Sequence, residues 1–142
     1  MKSLSWFAIL AAFALLPPAL PQTSPSDDKP TESEHVSGPH GLEAWTLSWP
    51  NPDDPREQLA GTLVIARNGH VLRKIRSEAI LWDWIFWDDG RQVAYETGPH
   101  HFGMICVLRD VRTGRQIATF DCYHDLPEHV PDWVRALVGS VP

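Results

Sequence analysis

The sequence is poor in sulfur-containing and basic side chains. Two of its 142 residues are Cys and two are Met, and 12 Lys and Arg stand against 18 Asp and Glu, which gives a formal net charge of −6. A surface with this excess of acid repels phosphate backbones and anionic lipid headgroups. The composition therefore disfavours a protein that binds nucleic acid.

The sequence also lacks an apolar run long enough to span a bilayer. Its longest run, residues 4–16, follows Lys2 and ends at Pro17-Pro18, whereas a membrane-spanning helix needs about 20 residues. This pattern is typical of a secretory signal peptide, which we predict over residues 1–22, with an uncleaved anchor as the alternative. We expect a secreted or periplasmic protein with no integral membrane segment in its mature form.

Apolar side chains stay scarce just after this segment. Residues 23–40 are rich in Ser, Pro, Thr and acids, and Val36 is their only aliphatic residue. Such a stretch cannot bury enough surface to order itself, which predicts a disordered spacer. Residues 41–142 hold six of the seven Trp and are predicted to form a single β domain.

Three segments of that domain share one pattern, an apolar run, a three-residue loop ending in Gly and a second apolar run. The loops are Arg67-Asn68-Gly69, Asp88-Asp89-Gly90 and Arg112-Thr113-Gly114. Gly takes the positive φ that closes such hairpins, and the flanks are rich in Val, Ile, Trp, Tyr and Thr. The pattern predicts a mainly β fold, an antiparallel meander of about seven strands at residues 43–48, 62–66, 71–75, 81–87, 92–96, 104–111 and 116–121.

A short helix is predicted to close the chain. Pro131 suits its first position, and Gly139 suits its end. Between them, the apolar residues recur at helical spacing; they are Trp133, Val134, Leu137 and Val138.

Glycine spacing indicates an internal repeat. Gly69 and Gly114 lie 45 residues apart, whereas the two Gly-Pro-His tripeptides, at 38–40 and 98–100, lie 60 apart. An insertion in the proline-rich stretch 49–56 would explain the difference. The resulting period of about 45 residues is the length of a four-stranded propeller blade.

Two motifs carry a resemblance to a known family. Trp87-Asp88-Asp89-Gly90-Arg91-Gln92-Val93-Ala94-Tyr95 resembles the W-S-P-D-G-x-x-I-A-F core of the WD40-like repeats of TolB-type β-propellers, with two Asp replacing Ser-Pro. Residues 110–115 are similar to the D-x-x-T-G hairpin that follows it. The resemblance implies one to one and a half blade-like units, whereas a closed propeller needs about four or more blades. As a whole, the chain also resembles short, uncharacterised exported bacterial proteins, a resemblance that points to no particular activity.

The hairpin at the middle of the domain carries a candidate binding surface. If Trp87 lies opposite Arg91, then Trp82, Trp84 and Phe86 share one face with Ala94, and both faces of the hairpin are apolar. A second sheet, a partner chain or a ligand must then cover what one short helix cannot. The aromatic stripe is either a platform for a protein or carbohydrate partner or core packed against Trp133.

Cys106 and Cys122 are the only thiols, and export makes a disulfide between them plausible. If Val111 lies opposite Arg115, Cys106 faces Phe120, and the two cysteines are diagonal neighbours. A bridge is then expected to need a bulge near Asp121. The sequence is compatible both with a bridge and with two free thiols.

Two chemical alternatives rest on other side chains. His100, His101 and His124 can be read as metal ligands or, as we prefer, as loop histidines, because each face would supply only two ligands. Asp83 lies between two Trp in an apolar strand and can be read as an acid/base of a hydrolase or as a paired buried acid. The sequence has neither a G-x-S-x-G elbow nor a phosphate-binding Gly loop.

These observations favour a noncatalytic exported module that binds a protein or carbohydrate partner, or a second copy of the chain. The alternatives are a metal or small-molecule binder that uses His100, His101 and His124, and a hydrolase centred on Asp83. We expect no cofactor.

Overall fold

A computed structural model describes residues 29–99, 104–123 and 128–139. The predicted signal peptide and the first residues of the predicted spacer lie outside these ranges. No helix in the described ranges is both long enough and apolar enough to cross a membrane.

The described fold is mainly β with one short C-terminal helix, as predicted. All seven predicted strands are present as β3 to β9, and two short strands precede them. The bounds are β1 Thr31–Glu32, β2 Val36–Ser37, β3 Leu42–Pro50, β4 Gln58–Arg67, β5 His70–Arg76, β6 Ile80–Trp87, β7 Gln92–Gly98, β8 Ile105–Asp110, β9 Gln116–Asp121 and α1 Asp132–Val138.

The strands form two antiparallel sheets. In the first sheet β3, β4 and β5 follow one another, and β1 and β2 both pair with the other edge of β3. The second sheet has the order β6-β7-β8-β9. Each sheet is therefore a simple meander, and the chain crosses from one to the other once, between β5 and β6.

Strands β1 and β2 lie where the sequence predicts a disordered spacer. They are held by backbone pairing, Thr31 opposite Ser48 and Val36 opposite Ala44. Between them, the ring of His35 stacks on the indole of Trp45 with centroids 3.9 Å apart. The neighbouring edge of β3 thus supplies the hydrogen bonds and contact area that this segment lacks by itself.

The three glycine turns differ in length from the predicted three residues. Two residues separate β4 from β5, four separate β6 from β7, and five separate β8 from β9. The predicted positive φ is confirmed at Gly69, Gly90 and Gly114. Asn68 shares it in the first turn, and Asp88 and Asp89 share it in the second, which accounts for the different loop lengths.

Two hydrophobic clusters cover the two faces of the second sheet. One lies between the sheets and joins Leu63 and Ile65 of β4 to Val93 and Tyr95 of β7. The other lies between the second sheet and α1. The apolar faces predicted for the middle hairpin are therefore covered by the first sheet on one side and by the helix on the other.

The predicted pairing of β6 with β7 is wrong by one residue. Trp87 lies opposite Gln92, not Arg91, and Trp84 lies opposite Tyr95, not Ala94. The cause is the second turn, in which Arg91 belongs to the loop. The pairing also shifts between Leu81 and Asp83, so Trp82 lies in an irregularity that strand alternation does not anticipate.

Cys106 and Cys122 form a disulfide with their Cα atoms 5.9 Å apart. Cys106 lies opposite Phe120, as predicted. The expected bulge near Asp121 is absent from the described pairing of β8 with β9, whose register shift lies between Leu108 and Arg109. β9 ends at Asp121, and the backbone N–H of Cys122 still donates a hydrogen bond to the carbonyl of Met104 at 3.0 Å. The bridge therefore joins the predicted diagonal neighbours without a bulge near Asp121.

The proposed repeat is not reflected in the Gly-Pro-His tripeptides. The strands β3 and β7 are each second in the strand order of their sheet. Gly38, however, lies before β3, whereas Gly98 lies at the end of β7. Gly69 and Gly114, by contrast, both lie in the last turn of a meander. Gly69 and Gly114 therefore occupy corresponding places, whereas Gly38 and Gly98 do not; His100 lies outside the described residues.

Candidate functional site

A cleft of about 670 Å³ opens at the end of the molecule where the glycine turns of both sheets meet. Four arginines line it, so we call it the arginine cleft: Arg67, Arg73, Arg91 and Arg112. Arg67 and Arg73 belong to the first sheet, and Arg91 and Arg112 to turns of the second. The site thus exists only because the two sheets pack together.

The turn between β6 and β7 closes one side of the cleft. A Cβ at Gly90 would lie 2.6 Å from Cδ1 of Leu42, so only Gly allows the turn to approach the first sheet this closely. Beside it, Nε2 of His40 lies 2.7 Å from Oδ2 of Asp89. This pair ties the turn to the first sheet and occupies a carboxylate that lines the cleft.

The turn between β8 and β9 is fixed by its own acid. Oδ1 of Asp110 accepts hydrogen bonds from the backbone N–H of Thr113 at 2.6 Å and from its hydroxyl at 2.8 Å. These two bonds hold the pKa of Asp110 below its ordinary value. They give the D-x-x-T-G pattern a structural reason, because Asp and Thr lock the turn that places Arg112.

Arg73 joins the two sheets at the cleft. Its guanidinium donates a hydrogen bond to the backbone carbonyl of Arg112, and its side chain lies against Gly114. Its Nε is buried and has no hydrogen-bond partner in the described structure. Burying this N–H donor without a partner costs free energy.

Three of the four arginines that line the cleft make no close ion pair within the described residues. Arg91 pairs with Oδ1 of Asp88 at 2.6 Å. Within the described ranges, no carboxylate lies within 4.0 Å of the guanidinium groups of Arg67, Arg73 or Arg112. Asp89 and Asp110 also line the cleft, and, after the hydrogen bonds from Thr113, the charge of Arg112 contributes to the lowered pKa of Asp110. Four guanidinium groups therefore stand against two carboxylates in the lining, which leaves an excess of positive charge.

The predicted aromatic stripe is not brought together on one surface. Trp84 and Phe86 pack against the cluster between the sheets and meet edge to face, with centroids 5.5 Å apart. Trp82 is 44% exposed, and its Nε1 donates to the carbonyl of Gly98 at 3.2 Å. Leu81, instead of Trp82, joins Trp84 and Phe86 in the cluster.

Asp83, the proposed acid/base, lies opposite a second acid. Its Oδ1 accepts a hydrogen bond from the backbone N–H of Trp84 at 2.7 Å, and its strand partner is Glu96. Glu96 is only 7% exposed. Burial raises the pKa of Glu96, and the nearby negative charge of Asp83 raises it further.

The raised pKa of Glu96 predicts that this group makes the fold less stable as pH rises. An unfolded Glu loses its proton near pH 4.3. Between that pH and the higher pKa of Glu96 in the folded state, the folded chain binds more protons than the unfolded chain does. The free energy of unfolding therefore falls across this window, and the loss is complete above it. We expect Glu96→Gln to unfold at a higher urea concentration than the parent at pH 7, with the difference vanishing below pH 4.

Glu78→Gln is the matched control for that comparison, because Glu78 is an exposed Glu in the connection between β5 and β6. Its urea midpoint should follow the parent at every pH. A lower midpoint for Glu96→Gln at pH 7 would show that the ionised carboxylate stabilises the fold and would contradict the expected sign.

The histidines considered as metal ligands, His100, His101 and His124, lie outside the described residues. Within the described ranges, no group of three or more His, Cys, Asp or Glu is arranged to hold a metal ion.

Sequence reasoning did not single out the arginines of the cleft. The signal was present, since each glycine turn carries an Arg close by, at Arg67, Arg91 and Arg112. Only the packing of the sheets shows that these turns meet. Comparisons with protein-family models, with curated proteins and with solved structures find no match.

Proposed function

We propose that this protein is a noncatalytic, exported binding module that holds an anionic ligand in the arginine cleft. The observation that carries the proposal is the set of three guanidinium groups, Arg67, Arg73 and Arg112, without a carboxylate within 4.0 Å in the described structure. Guanidinium groups bind carboxylates and phosphates through paired, charge-assisted hydrogen bonds. The ligand is therefore negatively charged.

The energetics of the cleft support the same conclusion. Gathering four guanidinium groups around two carboxylates leaves an excess of positive charge that costs free energy, although this chain, with a net charge of −6, has more acids than bases. A bound anion offsets that cost. The cleft volume of about 670 Å³ lies within the roughly 300–1,000 Å³ range of ligand pockets.

The chemistry of the lining residues favours binding over catalysis. The imidazole of His40 and the carboxylate of Asp89 hold each other, and Asp110 fixes its own turn. These groups position the arginines. The arginines recognise charge and do not act as nucleophiles or as general bases at neutral pH.

Secretion or transport to the periplasm is part of the proposal. The leader-like N-terminus supports it, and so does the disulfide between Cys106 and Cys122, because disulfides persist in oxidising compartments. We also propose kinship with the WD40-like repeats of TolB-type propellers. The four-stranded meander of the second sheet, Ile80–Asp121, supports that relationship.

Substituting the unpaired arginines tests the binding site. We expect Arg67→Ala and Arg112→Ala each to weaken binding of citrate or inorganic pyrophosphate about tenfold or more, because a hydrogen bond to a charged group contributes roughly 1.5–3 kcal/mol. Isothermal titration calorimetry at low ionic strength measures the affinity.

Two arginines outside the cleft serve as controls. Arg115 is exposed in the same turn as Arg112, and Arg76 is exposed on the same strand as Arg73; replacing either by Ala should leave affinity within about twofold, as for a distant screened charge. Absence of binding by both anions, or equal losses in the control variants, would refute the proposed site.

A further inference from the structure

Strand β5, His70–Arg76, forms one edge of the first sheet and pairs only with β4 within the described residues. An edge strand presents unpaired backbone N–H and C=O groups at alternate residues. In β5 this alternation is regular from Arg73 to Arg76, because Leu72 is the extra residue of a bulge in the pairing with β4. Two apolar side chains beside this edge are exposed, Val71 at 52% and Leu72 at 41%. The edge thus offers both hydrogen-bonding groups and apolar surface that an added strand would bury.

The same strand forms a wall of the arginine cleft, through Leu72 and Arg73. Residues that lie directly opposite each other on paired strands project to the same face of the sheet. A strand added to β5 would therefore direct the side chain opposite Arg73 toward the side on which the cleft lies. Strand addition and occupation of the cleft are geometrically compatible in one ligand.

The charge of β5 determines which kind of strand can pair with its free edge. Three of the seven residues of β5 are basic, Arg73, Lys74 and Arg76, and none is acidic. Like charges facing each other across paired strands are destabilising, so a second copy of β5 is disfavoured as the partner. An acidic strand is favoured for the same reason. By contrast β9, an edge of the second sheet, has no basic residue.

We infer that the natural ligand is an extended acidic segment of another protein, which adds to the edge of β5 and places an Asp or Glu side chain in the arginine cleft. This inference rests on the proposed function and names its ligand class. A small polycarboxylate or phosphate ester would occupy the cleft without using the backbone of β5.

Backbone methylation of a probe peptide separates these ligands. The probe is a fluorescein-labelled peptide of alternating Glu and Thr with the seven-residue length of β5. Its binding is followed by fluorescence anisotropy beside calorimetric titration of citrate. Two methylated peptides are made, one with N-methyl groups at the odd-numbered peptide residues and one with N-methyl groups at the even-numbered residues. We expect one methylation pattern to weaken binding tenfold or more, because it removes the N–H groups that face β5, and the other to have little effect.

Protein variants link the peptide to the cleft. Arg67→Ala and Arg112→Ala should weaken the unmethylated Glu-Thr peptide about tenfold, Arg115→Ala should not, and a Lys-Thr peptide should not bind. Equal binding of both methylated peptides, or loss on methylation without any effect of the cleft variants, overturns the inference.

The citrate titration shows which proposal has failed. If citrate binds and its affinity falls in the cleft variants while the peptide does not bind, the anion site stands and the peptide inference is wrong. If neither citrate, pyrophosphate nor the peptide binds, both proposals are wrong.

Discussion

Removing the disulfide between Cys106 and Cys122 is expected to lower the free energy of unfolding by about 3 kcal/mol. The bond closes a loop with a sequence separation of 16 residues, and restricting the unfolded chain by a loop of about this size contributes roughly that amount on the chain-entropy estimate. It also anchors the end of β9, an edge strand with β8 as its only described strand partner. Urea denaturation of Cys106→Ala/Cys122→Ala, followed by tryptophan fluorescence, measures the loss.

Reduction provides the control for the double variant. A reductant should destabilise the parent by a similar amount and leave Cys106→Ala/Cys122→Ala unchanged, which separates loss of the bond from loss of packing at Cys106, a fully buried residue. A loss below about 1 kcal/mol in the variant would mean that the cross-link scarcely restricts the unfolded chain, contrary to the entropic argument.

The strands were predictable because local sequence determines them. Each combines β-branched or aromatic residues with a turn at its end, and the positive φ of Gly69, Gly90 and Gly114 follows from the absence of a side chain. The helix was predictable from its spacing of apolar residues. Neither prediction depends on how the sheets pack.

Pairing registers were less predictable, because one residue more or less in a turn moves every side chain to the other face. Asp88 and Asp89 both take positive φ, so the second turn is longer than its Gly alone suggests. Asp can adopt this conformation but does not require it. The consequence is that Trp84 and Phe86 face the first sheet with Val93 and Tyr95 rather than with Ala94.

The ordered part of the predicted spacer could not be found from local composition. Val36 is its only aliphatic residue, and the pairing of β1 and β2 depends on an open edge of β3. The stacking of His35 on Trp45 likewise involves a residue of the sheet. Order in this segment is imposed by tertiary structure, which composition does not report.

The arginine cleft could not be predicted from the sequence for a related reason, because it depends on how the two sheets pack together. Arg67 and Arg112 are separated along the chain by four strands, β5 to β8, and nothing in either hairpin shows that they share a cavity. The sequence did show that the middle hairpin needs cover on both faces. It did not show that the first sheet would supply one cover and thereby bring the turns together.

Helix α1 covers the other face of the second sheet, and truncating its largest fully buried side chain is expected to destabilise the fold strongly. Leu137 is fully buried in the cluster between α1 and the second sheet, together with Val134 and Trp133. Leu137→Ala removes that contact and leaves a cavity that a neighbouring sheet can fill only in part. We expect the free energy of unfolding to fall by about 2–5 kcal/mol, measured by urea denaturation.

Arg135→Ala is the matched control, because Arg135 lies in the same helix with its side chain exposed. Ala is a better helix former than Arg, and Arg135 makes one long hydrogen bond to the carbonyl of Val130. The control should therefore change stability by less than about 1 kcal/mol. A loss of the same small size in Leu137→Ala would mean that the helix does not contribute to the core. Because the cleft lies where the turns of the two sheets meet, away from the sheet face that α1 covers, citrate affinity of the folded Leu137→Ala protein should match that of the parent.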